Sequence, residues 1–162
     1  VTVSLPANEW WASLPKTPVS ADLVIRDPAG RVLFCRTTYR PTWWVIGGVA
    51  EYGEPPAACA RREGQEELGI DLQIGRLLVA HHQVRPGLVM FSFAFDAGVI
   101  DPDLTKLTLD PGEIAEVAWF PPDRFPADLG PWHARRYRAA INALGDGSTA
   151  YLEDTEPEPD PL

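Results

Sequence analysis

From Leu88 to Ala97 the side chains alternate, with Val89, Phe91, Phe93 and Phe95 on one side and Met90, Ser92, Ala94 and Asp96 on the other. A period of two predicts a strand, with the phenylalanine face in a core under a helix. Two shorter runs, Ser20 to Asp27 and Arg31 to Thr37, flank Asp27-Pro28-Ala29-Gly30. Pro at the second turn position and Gly at the fourth suit a type I turn, so a hairpin is expected. Thr42 to Ile46 reads as a short strand that sends Trp43 and Trp44 to opposite faces, one to the core and the other to a pocket beside Gly47. Ile70 to Val84 reads as a strand pair or one bent strand with a kink at Gly75. Its adjacent His81 and His82 face opposite ways, so they do not share an ion and are expected to be ordinary strand-end histidines. Glu113 to Phe120 is a further strand, closed by Pro121-Pro122.

Two stretches follow the helical period instead. Pro131 to Leu144 places Tyr137, Ala140, Ile141 and Leu144 at core spacing, puts Arg135, Arg136 and Arg138 on the wet face, and runs into Gly145 and Gly147. The other runs from Pro55-Pro56, which suit a first turn whose N–H groups are unpaired anyway, to Gly69, a left-handed stop. With only two long helices and no sustained strand–helix alternation, a doubly wound parallel fold is not expected, and a three-layer α/β/α sandwich with a mixed β-sheet fits.

Composition narrows this little. The 162 residues are 45% hydrophobic and 23% charged, as expected for one soluble domain. No apolar run is long enough for a membrane span, and the start has no secretory pattern, so a cytoplasmic protein is expected. The formal charge is −9, but the last ten residues hold five acids and no Lys or Arg; the remainder balances 14 basic against 18 acidic residues. That balance argues against a basic stripe for long nucleic acid and leaves a small phosphate ester open. Cys35 and Cys59 are too few for a disulfide framework and read as buried apolar residues. The expected organisation is a lead-in segment over residues 1–17, a domain over 18–152 and a disordered acidic tail over 153–162. Trp10-Trp11 in the lead-in either packs over the sheet edge or forms an aromatic wall for a substrate or a homodimer partner.

The chemistry concentrates at residues 47–70, GGVAEYGEPPAACARREGQEELGI. Glu63, Glu66 and Glu67 stand at i, i+3 and i+4 on one helical face, where like charges repel. A solvated acidic face is the plain reading of three glutamates. It does not account for Gly48, Glu54, Arg62 and Gly69 at fixed offsets from them. A hard divalent cation offsets the repulsion, and Mg²⁺ is the usual oxygen-liganded choice, with Mn²⁺ the other candidate. Gly47 and Gly48 let backbone approach such an ion because no side chain intervenes.

Gly48-x5-Glu54-x7-Arg62-Glu63-x-x-Glu66-Glu67-x-Gly69-Ile70 resembles the Nudix box of the Nudix hydrolases. Ile46 and Gly64 depart from the family pattern without touching a carboxylate. The resemblance implies the Nudix fold over roughly residues 18–145 and metal-assisted hydrolysis of a diphosphate linkage in a nucleoside diphosphate derivative or a related organic diphosphate. It implies a glycine carbonyl at 47 or 48 as a metal ligand beside Glu63, Glu66 and Glu67, with Glu67 and Glu63 the firmest. Arg62 would orient Glu63, Glu54 would pair with Arg62, and one of Glu63, Glu66, Glu113 or Glu116 would take the proton from the attacking water. Arg40 and Trp44 are candidate substrate contacts. Two other readings stand beside it: a ligand-binding or regulatory module without turnover, and a prenyl-type diphosphate hydrolase served by the aromatic residues.

Overall fold

The structure, a computed structural model, describes residues 6–154 apart from Pro86. Among the described residues eight strands form one mixed sheet in the order β3-β2-β1-β6-β5-β8, with β4 pairing to β1 and β7 to β2. The strands are β1 (Val19–Arg26), β2 (Val32–Thr37), β3 (Trp43–Trp44), β4 (Gly47–Val49), β5 (Leu77–Arg85), β6 (Leu88–Val99), β7 (Ile114–Phe120) and β8 (Ala150–Asp154). The helices are α1 (Ala7–Ser13), α2 (Pro56–Leu68) and α3 (Pro131–Asp146). The β1–β6 and β5–β8 pairs are parallel and the others antiparallel.

Alternation along β1 divides the core. Ala21, Leu23 and Ile25 join Cys59, Ala60 and Leu68 of α2 on one side of the sheet. Val24 joins Phe34, Trp43, Val79 and Ala94 under Tyr137, Ala140 and Ala143 of α3 on the other. This is the expected three-layer arrangement, with both long helices where the sequence places them. Gly69 and Gly147 close α2 and α3 at φ +69° and +77°, a conformation that glycine adopts without a Cβ penalty.

Several expectations are corrected. The Gly47–Val49 segment, for which the sequence pattern predicts no element, is strand β4, with Gly47 opposite Asp22 and Gly48 opposite Ala21. Residues 70–76 are irregular, so β5 starts later than expected, and Gly75 precedes it, donating its N–H to the Asp96 carbonyl at 2.7 Å. On β6 the phenylalanine face is core under a helix as expected at Phe93 and Phe95, but Val89 on that face is exposed, and the Met90, Ser92 and Ala94 face is buried as well, under α3. Phe93 and Phe95 pack on the α2 side, and Phe91 meets the His82 ring at 5.2 Å. Arg136, placed on the wet face of α3 by spacing, is 1% exposed. His81 lies within β5 and is fully buried, not a strand-end residue. The tryptophans of the lead-in lie on α1, which has no buried residue, so Trp10 and Trp11 face solvent edge-to-face with each other. Glu153 and Asp154, assigned to the tail, end strand β8 alongside β5; the rest of the expected tail lies outside the described residues.

Candidate active site

The box helix α2 lies across β1 and β4, and its length is set by the proline start and the glycine stop. Along its sheet-facing side Cys59, Ala60 and Gly64 are small and buried. A Cβ on Gly64 would come within 3.0 Å of a Leu72 methyl and 3.3 Å of a Leu23 methyl, so the glycine sets how closely the helix approaches β1. That proximity turns Glu63 and Glu67 inward. They are 8% and 5% exposed.

Both inward glutamates meet the β4 glycines. The Gly47 N–H donates to Glu67 Oε2 at 2.8 Å, and a Cβ on Gly48 would overlap the Glu63 carboxylate. Gly47 is at φ +134°, where a side chain would also overlap the Ala21 carbonyl. The two glycines thus serve different needs: one permits a backbone path, the other leaves room for a carboxylate.

Arg62 is the hub of the site. Its Nε and Nη2 donate to the two oxygens of Glu54, each at 3.0 Å, while Nη1 donates to Glu63 Oε1 at 2.7 Å and Glu66 Oε2 at 2.8 Å. Glu54 Oε2 also accepts from the Glu51 N–H at 2.9 Å. The Arg62 guanidinium holds the Glu54 carboxyl below the usual carboxylate range, and these acids together raise Arg62 further above its already high value.

Glu67 behaves in the opposite way. Burial, with the negative fields of Glu63, Glu113 and Asp22 added, raises its carboxyl to about 8, against the pull of the Gly47 N–H. Burial also raises Glu63, despite Arg62. Two adjacent carboxyls are therefore held where ionisation is costly and negative charge is in excess, a setting that favours a cation. Among the described residues no three His, Cys, Asp or Glu side chains converge closely enough to hold an ion by themselves. The donor set that fits a hard divalent ion is two carboxylates completed by backbone oxygen and by the ligand itself.

The remaining candidates separate. Glu113 lies in the turn before β7 and its charge is felt at both Glu63 and Glu67. Glu116 faces Arg36 across the β2–β7 pair at 4.0 Å. Trp43 enters the core, and Trp44 lines a cavity with Gly47 and Gly48, as the alternation predicts. Arg40 lies over the Trp44 ring at 4.3 Å. Arg26, another arginine near the first hairpin, is paired with Asp96 at 2.7 Å. Cys59 is buried and its thiol is pushed up to about 12 by that burial and by Glu63 and Glu54, which leaves it protonated and unreactive. Asp22, Arg136 and His133 also line the cavity, and sequence reasoning did not find them.

The family model described as the NUDIX domain matches residues 16–140, and the chain belongs to the Nudix hydrolase family. It is 30% identical over 140 residues to the NAD-capped RNA hydrolase NudC of Mycobacterium tuberculosis (strain ATCC 25618 / H37Rv), covering 78% of this chain. The chain spans less than half the length of the curated relatives it first matches, 44% in this case. Its fold is similar to a UDP-X diphosphatase (TM-score 0.72, 18% identity, covering 92% of this chain and 76% of that one). It is also similar to the MutT protein of Methanosarcina mazei Go1 (TM-score 0.69, 21% identity, 82% and 99% covered).

Proposed function

We propose that this protein hydrolyses a diphosphate linkage in a nucleoside diphosphate derivative, with Mg²⁺ or Mn²⁺ as cofactor. The observation that carries the reading is the pair of inward carboxyls, Glu63 and Glu67, pressed against bare glycine backbone with their ionisation opposed by burial. The family's relatives support the substrate class: one is named for NAD-capped RNA and a structural neighbour for UDP-X.

Glu67 and Glu63 hold the ion together with a glycine carbonyl at position 47 or 48. When bound, the ion lowers the pKa of water and neutralises charge on the phosphate oxygens. Arg62 fixes the side-chain torsions of Glu63 and Glu66 at once, and Glu54 fixes Arg62 from the other side. Glu66, 54% exposed at its side chain and anchored through Arg62, takes the proton from the attacking water; Glu113, whose charge is felt at Glu63 and Glu67, is the alternative acceptor.

The test is turnover of a panel of nucleoside diphosphate derivatives, with products separated by chromatography, with Mg²⁺ and with EDTA. Turnover should vanish with EDTA. Glu66→Gln should lower kcat by ~10²–10⁴-fold with an unchanged melting temperature, the range expected for loss of a general base. Parental rates in both Glu66→Gln and Glu67→Gln would end the reading.

A further inference from the structure

One exposed turn is held more firmly than its place at the surface requires. Glu113 lies just before β7 and is exposed, yet both peptide planes that flank its Cα are bonded at both ends. In the plane before it, the carbonyl of Gly112 accepts from the Thr38 hydroxyl at 2.8 Å, and the Glu113 N–H donates to the Asp110 carbonyl at 3.2 Å. In the plane after it, the Glu113 carbonyl accepts from the Thr38 N–H at 2.8 Å, and the Ile114 N–H donates to the same Asp110 carbonyl, also at 2.8 Å. A peptide plane is rigid, so a residue turns only about φ and ψ. With both planes held, the direction in which the Glu113 side chain leaves the backbone is set.

This frame is fastened to both sides of the acidic turn. The Asp110 N–H donates to the Glu67 carbonyl at 3.3 Å and the Thr108 N–H to the Leu68 carbonyl at 3.0 Å. The segment therefore rides on the last turn of α2, whose final carbonyls have no partner within the helix. On the other side Thr38 follows directly on β2. The β2–β7 register shifts there by one residue: Arg36 faces Glu116 but Thr37 faces Ile114, which leaves Ala115 as the extra residue. Such a bulge re-aims the side chains next to it. Here it turns Ile114 into the core on the α2 side and brings its neighbour Glu113 to the acids of α2. Burial raises the carboxyls of Glu63 and Glu67, and the charge of Glu113 raises both further. Burial likewise raises the phenol of Tyr39, the residue after Thr38, with Glu113 and Glu67 adding to it. The turn thus holds a further negative charge against two buried carboxyls, which is unfavourable until a cation shares the site.

Resting on the metal-dependent reading above, we propose that Thr38 is a positioning residue. Its hydroxyl and amide together hold Glu113 against Glu63 and Glu67, where the Glu113 carboxylate adds to the grip on the divalent ion. Without the hydroxyl, the Gly112 carbonyl turns to water, the plane before Glu113 is released and the carboxylate swings away from α2.

Thr38 and Glu113 are both exposed, so substitutions there leave the core intact. The test is Mn²⁺ binding to the protein without substrate, with free Mn²⁺ read by electron paramagnetic resonance. Glu113→Gln should weaken binding ~10–100-fold, the range for groups that support metal ligands. Thr38→Val should weaken it ~2–10-fold, as for one lost hydrogen bond, and Thr38→Ser, which keeps the hydroxyl, should bind as wild type does. In the Glu113→Gln background Thr38→Val should cost nothing more, because it acts through that carboxylate. A Thr38 that served stability alone would weaken binding equally in both backgrounds. That result overturns the inference, as does wild-type affinity in Glu113→Gln or Thr38→Val, or a Thr38→Ser that binds no better than Thr38→Val. Turnover of the nucleoside diphosphate panel is followed alongside. Coupling between Thr38 and Glu113 in a protein that turns nothing over would sink the hydrolase reading and leave the inference standing; turnover without coupling would do the reverse.

Discussion

Gly47 and Gly48 are neighbours with opposite demands. At Gly47 an added Cβ overlaps backbone at a positive φ, whereas at Gly48 it overlaps only the end of the Glu63 side chain. Gly47→Ala should therefore cost about 3 kcal/mol or more in chemical denaturation, through strain and a clash that cannot relax. Gly48→Ala should cost less than about 1 kcal/mol yet lower kcat ~10–100-fold, because it displaces a carboxylate whose position matters. A second residue-level expectation concerns protons. With Glu67 protonated up to about pH 8, metal uptake at pH 7 must release a proton, and affinity should rise with pH until about 8. Calorimetry at one pH in buffers of different ionisation heat measures that release directly. Glu63, Glu67 and Arg62 were legible in the sequence because they lie close together at fixed spacing on one helix. Arg136 was not, because its burial depends on Asp22, a residue of β1 remote in sequence, and spacing on α3 says nothing of that partner.

At the level of elements, α2 was readable at both ends from Pro55-Pro56 and Gly69. Gly64 brings the helix close to Leu23 and Leu72, which a Cβ there would crowd. Gly64→Ala would add about 1 kcal/mol of helix propensity. Overpacking costs roughly 1–3 kcal/mol, and here it acts against two core methyls. The melting temperature should fall, and activity should fall with it as α2 tilts away from β4. Strands β4 and β8 were not readable. β4 is three residues with two glycines, too short to show a period. β8 is an edge strand held parallel to β5 by backbone pairing, a contact that carries no local pattern.

Across the whole molecule, a relay of contacts from Asp154 through His81 to Arg136 and Asp22 joins β8, β5, α3 and β1. The groups facing His81 are Arg136, Asp154 and, at longer range, Arg135. The unfolded imidazole takes up its proton near pH 6.5 and the folded one near 4. Between these values the unfolded chain binds more protons, so the stability that neutral His81 contributes is complete above about pH 6.5 and is lost as pH falls towards 4. We expect a loss of about 1–3 kcal/mol over that window, visible in urea melts at successive pH values and flattened in His81→Gln. The layer arrangement was legible because a local motif fixed the family resemblance. The relay and the cavity were not, since each is assembled by tertiary packing from distant strands and helices.

A partition only one backbone thick, without side chains at 47 and 48, stands between the acidic turn and the chamber beneath α3. Descendants of this chain can reshape the chamber by altering β1 and α3 while the acidic turn stays as it is. Bulk added to the partition itself disturbs both compartments together, which makes those two positions the least free to drift.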